Sequence, residues 1–514
     1  MAKSKKKTKQ ENKSIEYSNK VSPPSIFQGS PVYDLLHNFE RAPDQWAARY
    51  VLILTAIILR TAIGLGGYLG QGVSPMHGDF EAQRHWMELT IHLPVSEWYF
   101  FDLQYWGLDY PPLTAYHLFL IGKIGSFINP EWFALNASRG IENNEIKFFM
   151  RFMSLLSEFI LYMPGVLTIA NLMGKRFNLS RMDQIIISLI IINQAHLVLI
   201  DHGHFQFNSV MLGFFLYSII DLIKENYVFA SVWFMCSINF KQMGLYYSTF
   251  IFVFILSQLK SIQKLILVGF TVVFTNFVIL LPFLREPTNI LQIVTRVFPF
   301  NRGLFEDKVA NFWCATNTFI KYRQIIDPQN LSKLSLLTTV LSIIPINVIL
   351  FMKLRKTKNV IPGLVYGFAG NSFAFYLFSF QVHEKSILIP LLPTVLLLLV
   401  DPTLIDIVQW INNVGCFSLY PLLKKDGLVL QYIVSNLLIN FLIGNKLLLN
   451  NKGLWNIVIK GSYVLMLIYH VLDCFVSPPS RFPDLWVILN ISISFGAFML
   501  FWLWLVYTSY KWKV

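Results

Sequence analysis

Apolar runs separated by short polar joints recur from residue 49 to residue 509, and their lengths predict helices that cross a bilayer. The first is 49–70, "RYVLILTAIILRTAIGLGGYLG". Further spans are expected near 148–173, 183–200, 209–223, 227–241, 243–259 and 264–284, then 334–352, 360–380, 386–400, 404–421, 428–447, 456–475 and 485–509. With the first, these make about fourteen. The run 112–128, "PLTAYHLFLIGKIGSFI", is short for a span and carries Lys123, so it either crosses or lies in the interface.

Charge separates these two options. If 112–128 does not cross, the basic joints "GKRFNLSR" (174–181), "KEN" (224–226), "KSIQK" (260–264) and "KLRKTK" (353–358) share the side of the lysine-rich N-terminus, as a positive-inside topology requires. Residues 71–147 then form one long loop on the opposite face, with amphipathic helices inside it. A second long loop is expected at 285–332. The sequon Asn136-Ala137-Ser138 falls in the first loop and becomes a glycosylation candidate if that face is lumenal.

Composition agrees: 54% of the 514 residues are hydrophobic and 14% charged, with a mean hydropathy of +0.51. The fold class expected is an all-α polytopic membrane protein, with 49–514 one membrane domain and 1–48 a disordered basic cytosolic tail. The net charge of +13 comes from that tail and the joints, so no nucleic-acid partner is implied. The tail has no signal-peptide pattern. The four cysteines are far apart and suggest no disulfide framework.

Four polar clusters converge on the face opposite the tail, where ionisable residues are costly unless hydrated, paired or functional. In "HGDFEAQRHW" (77–86), helical spacing puts Asp79, Gln83 and Trp86 on one face and Glu81, Arg84 and Glu88 on another. Asp79 is placed to act as a base or to N-cap its helix, and the helix behind it to anchor in the interface. In "LQYWGLDYPPL" (103–113), Pro111-Pro112 pushes Tyr110 extended and presents Asp109 beside Trp106, for a sugar face or for loop structure. In "IDHGHFQFN" (200–208), Asp201, His202, His204 and Gln206 brace a turn or ligate a metal, although the spacing is no zinc signature. In "QVHEK" (381–385), His383 and Lys385 can hold a phosphate, or Lys385 snorkels. No Walker, zincin or G-x-S-x-G motif occurs. Group transfer from a lipid phosphate, transport along an ionisable path, and a non-catalytic scaffold remain open.

At these clusters, together with "LPVSEWYF" (93–100) and "LTAYH" (113–117), the chain resembles the dolichyl-phosphate-glucose glucosyltransferases of the endoplasmic reticulum, which have the GT-C fold. The motifs are most similar to the branch that adds the first glucose; the second-glucose branch is the alternative. The resemblance implies a catalytic module (49–284) followed by C-terminal helices (285–514), a lumenal site and cytosolic termini. It implies an inverting transfer of glucose from dolichyl phosphate glucose to a dolichyl-pyrophosphate-linked oligosaccharide, with an α-1,3 product and no metal or other cofactor. Asp79 matches the family's base and His383 its phosphate-side histidine. Lys385 and Arg84 are assigned to phosphate or structural support and Asp109, with Trp106 and Tyr110, to acceptor binding or loop shape. Asp201, His202 and His204 are assigned to a lumenal network.

Overall fold

A computed structural model describes residues 24–39, 44–299, 304–305, 308–444 and 453–513, and among these no strand occurs. The helices are α1 (Pro31–Leu36), α2 (Asp44–Gly64), α3 (Gly78–His92), α4 (Pro112–Ile128), α5 (Asn144–Arg176), α6 (Arg181–Ile192) and α7 (Ala195–Val198). A π-helical turn, Leu199–Phe205, leads to α8 (Asn208–Ile223), α9 (Tyr227–Phe240), α10 (Ser248–Gln258) and α11 (Ile262–Leu280). Next come α12 (Pro287–Val297), α13 (Phe312–Thr316), α14 (Tyr322–Ile325), α15 (Pro328–Leu354), α16 (Ile361–Phe378) and α17 (Leu388–Val400). The chain closes with α18 (Ile405–Ser418), α19 (Tyr420–Lys425), α20 (Val429–Leu442), α21 (Leu454–Phe475) and α22 (Leu485–Lys511).

A helix stands at every expected span, and among the described residues seven helical stretches are long and apolar enough to cross a membrane. These are Trp46–Gly64, Asn144–Arg176, Arg181–Phe205, Ile262–Phe283, Pro328–Leu354, Leu454–Phe475 and Leu485–Lys511. Local sequence explains their ends. Asn143 caps α5 by accepting the Ile146 N–H at 2.8 Å, and Lys175 and Arg176 sit at its carbonyl end, where cations oppose the helix dipole. Lateral apolar exposure on α11, at Phe270, Val273 and Phe274, marks a surface suited to lipid.

The ends of α2 and α5 settle the path of 112–128. Lys147 and Arg151, in the first turns of α5, donate to the carbonyls of Leu65 and Gly67, just past the end of α2. The chain therefore leaves and re-enters the bundle at the same end, so α4 makes no single crossing between them. Instead α4 packs on α3, where a Cβ on Gly122 would lie 3.1 Å from Met87. Only glycine permits that approach without a shift. The second loop closes over the first: Gln292 on α12 donates to Tyr99 O at 2.9 Å and Arg296 to Gly107 O at 2.8 Å.

Two expectations change. The disordered tail does not extend to residue 48. Phe27, Val32 and Leu36 are buried, and Ser25 Oγ donates to Asp183 at 2.6 Å, so 24–39 is pinned by ordinary apolar burial; 1–23 lies outside the described residues. Nor is α3 an interfacial amphipathic helix. Phe80 through Thr90 are all buried, leaving no face for a membrane surface.

Candidate active site

The site begins where α7 gives way to the π-helical turn. Asp201 accepts the backbone N–H groups of Asn208 (3.1 Å) and Ser209 (2.7 Å), holding the start of α8. The two histidines that follow diverge. His202 meets Glu158 at 2.6 Å, and Arg60 grips the same carboxylate at 2.7 and 2.8 Å, a buried group between α2 and α5. His204 turns the other way, with Nδ1 2.7 Å from Asp426 Oδ2 and Nε2 3.0 Å from Asp79 Oδ2. The two imidazoles thus serve separate carboxylates and do not converge on a metal. His204 belongs with Asp79, beyond the bracing role expected of it.

Phe205 ends the turn at φ +87, rare for a bulky residue, and its ring is held between Phe80 and Phe207. Such strain costs about 1–3 kcal/mol and persists where packing over-determines it. Its consequence is the direction of Gln206, whose Nε2 donates to Asp79 Oδ2 at 2.6 Å.

Asp79 approaches from α3. Gly78 precedes it at φ +69, and a Cβ there would lie 2.2 Å from Leu69 O, so glycine is required. The capping position is His77, without a side-chain cap bond, and Asp79 lies inside the helix. It is therefore no N-cap. Its Oδ2 accepts from Lys385 Nζ (2.6 Å), Gln206 and His204, while Oδ1 makes no hydrogen bond among the described residues. Burial alone would raise the Asp79 carboxyl, but the Lys385 ammonium and the His204 contact outweigh it and hold it well below the usual aspartate value. Burial would lower the Lys385 ammonium, but Asp79, with Tyr110 and Glu384, outweighs it, and its pKa is raised. The pair is open to the surface, with side chains 21% and 18% exposed.

Lys385 lies on the short 3-10 turn Glu384–Ile387, and His383, half-buried, immediately precedes that turn. Next to them Lys241 donates to Gln206 Oε1 (2.8 Å) and Asn208 Oδ1 (2.7 Å), under the Tyr110 ring at 4.7 Å. Asp109 is within electrostatic reach of Tyr110 and Lys241. Trp106 ties the loop down instead: its Nε1 donates to Met76 O at 2.6 Å, and its carbonyl accepts from Trp86 at 2.9 Å.

Arg84 is elsewhere. Its guanidinium is fully buried, bonded to Glu81 at 2.6 Å and Glu88 at 2.7 Å, with Ser138 and Trp132 O completing the cage. The helical spacing predicted this face, but a guanidinium so occupied cannot reach a donor phosphate. Burial would raise the Glu88 carboxyl; His85, Arg84 and the Asn136 N–H together lower it to about 2. The sequon joins the same cage through the buried Ser138 hydroxyl.

Sequence reasoning missed Lys241 and Asp426. Each is a charge at a joint between apolar runs, indistinguishable there from a solvated end residue; Lys241, a lone cation in "INFKQMG", was the better signal.

A helical protein with membrane-length apolar helices and a partly open carboxylate–ammonium pair fits a membrane-embedded enzyme. The sequence profile of the ALG6, ALG8 glycosyltransferase family matches residues 55–504, and the chain belongs to that family. It is 47% identical to the Saccharomyces cerevisiae protein named dolichyl pyrophosphate Man9GlcNAc2 alpha-1,3-glucosyltransferase, over 94% of this chain and 95% of the relative. A Schizosaccharomyces pombe protein named as the probable enzyme of that activity is 45% identical (93% and 94% covered), and the Gallus gallus enzyme 37% (89% and 96%).

Proposed function

We propose that this chain transfers glucose from dolichyl phosphate β-glucose to the terminal mannose of the long arm of a dolichyl-pyrophosphate-linked oligosaccharide, forming an α-1,3 linkage. The names of its relatives support the acceptor and the linkage. The observation that carries the chemistry is Asp79, ionised and oriented through Oδ2, with Oδ1 unbonded among the described residues. Oδ1 takes the proton of the acceptor hydroxyl. That oxygen attacks the anomeric carbon from the face opposite the phosphate, the C–O bond to phosphate breaks, and dolichyl phosphate leaves with the bonding pair. Inversion converts the β donor to the α product.

Lys385 and His383 receive the phosphate charge as it develops. Before donor binding Lys385 is spent on Asp79; a donor phosphate that draws the ammonium away raises the basicity of Asp79 when a base is needed. Lys241 and Tyr110 hold Gln206, and through it Asp79. Asp109 lies at the acceptor side of the same wall. No metal is invoked, because the leaving group is a lipid phosphate monoester. The remaining reading is a GT-C fold of about fourteen spans in the endoplasmic reticulum membrane, with a lumenal site and cytosolic termini.

The test uses purified protein in detergent with dolichyl phosphate glucose and a lipid-linked nine-mannose acceptor, following a gain of one hexose. Wild type should add an α-1,3 glucose and Asp79→Asn should not. Gain only on an acceptor already carrying one glucose would move the assignment to the second glucosyltransferase. Transfer to neither would favour a transporter.

A further inference from the structure

Between α2 and α5 lies a cavity of about 470 Å³, lined by Arg151, Lys147, Asn144, Phe148, Phe152 and Leu155 among others, on the far side of the π-helical turn from Asp79. We propose that it binds the phosphate head group of a membrane lipid, a phosphate ester on a hydrocarbon tail, with Arg151 as the principal donor.

Arg151 is nine-tenths buried. Its Nη2 donates to Gly67 O at 3.1 Å and Gly203 O at 2.9 Å, but Nε and Nη1 have no partner among the described residues. Leaving two nitrogens of a buried guanidinium unsatisfied is costly, and an anion removes that cost. The geometry makes room for this arrangement: a Cβ on Gly64 would sit 2.9 Å from Arg151 Cδ. Lys147 adds a second cation at the mouth, and no carboxylate is among the lining residues. At the floor, Arg60 and His202 are already neutralised by Glu158. The net charge facing the cavity is therefore positive.

The mouth is apolar, with Phe148 70% and Phe152 50% exposed on the outer face of α5. Arg151 stands seven residues into α5, about 10 Å from its start. An anion with an apolar tail satisfies the donors and the aromatic rim together. The unpaired Nη1 offers a charge-assisted N–H to a phosphate oxygen.

The experiment is native mass spectrometry of the full chain in detergent with added dioleoylphosphatidic acid, farnesyl pyrophosphate or, as the uncharged control, dioleoylglycerol. Wild type should retain the phosphate lipids about tenfold better than the glyceride, the size of one charge-assisted contact. Arg151→Gln should lower the number of phosphate lipids retained by one, leaving any held at Lys385 and His383, and Lys147→Gln should weaken that retention about threefold. Leu155→Trp, which fills the groove without changing a charge, should also lower retention, and it decides the matter should Arg151→Gln not fold. Preference for the isoprenyl pyrophosphate would assign the site to an isoprenoid carrier, and preference for phosphatidic acid to a bilayer phospholipid; either keeps the phosphate assignment. Equal retention of the glyceride, or retention unchanged in all three variants, would overturn it.

Discussion

Helix α3 carries two ionic clusters within three turns, put to opposite use. Arg84, Glu81 and Glu88 pair along one helix face at i,i+3 and i,i+4, and all three are buried. Asp79 takes its partners from Gln206, His204 and Lys385, which lie on two distant segments, and remains partly open. The first cluster is closed on all sides, by its own helix and by the 132–138 segment, and holds the loop together. The second is assembled by the fold, and it leaves one carboxylate oxygen facing outward. Functional placement is therefore marked by an accessible atom, more than by the density of charges in a motif.

Breaking each cluster should separate these roles. The largest effect is on chemistry: Asp79→Asn should lower transfer about 10²–10⁴-fold, the usual worth of a general base, while melting stays close to wild type. Arg84→Met should reverse that pattern. Removing the guanidinium strands two buried carboxylates, and breaking a buried pair typically costs about 3–5 kcal/mol, so thermal stability should collapse while turnover per folded molecule survives.

Lys385→Met sharpens the comparison through pH. Lys385 is the main force holding Asp79 below its ordinary value, so its loss should move the acid limb of kcat/KM to higher pH, and turnover should fall about a hundredfold as the phosphate loses its cation. Asp426→Asn, which reaches Asp79 only through His204, should cost about tenfold in kcat with the conservative Glu variant restoring part. The smallest effect belongs to the cage. The Glu88 carboxyl is lowered from 4.5 to about 2 in the folded protein, so its stabilisation is complete above about pH 4.5 and is lost as pH falls through about 2. Hydrogen exchange across 131–139 should rise over that window in wild type and be flatter in Glu88→Gln.

Much of this molecule can be read from the order of its residues. Apolar run length placed a helix at each expected span, because a chain in hydrocarbon must satisfy its backbone locally. The charge of the joints kept α4 from crossing, and the ends of α2 and α5 agree. Periodicity alone put Glu81, Arg84 and Glu88 on one face. Two expectations and one alternative failed for a common reason: the interfacial face of α3, the phosphate role of Arg84 and the capping alternative for Asp79 each depend on what packs against the helix, which spacing along one element does not contain.

What the sequence by itself determined is local: helix positions, loop lengths and the motif that holds a carboxylate at the start of α3. What only the tertiary structure decided is which charges meet. His204 and Asp426 are 222 residues apart, and Lys385 and Asp79 are 306 apart. Nothing in either neighbourhood encodes its partner. A buried charge is tolerated only where the whole fold supplies a counter-charge, so its meaning is set by packing and not by its place in the chain.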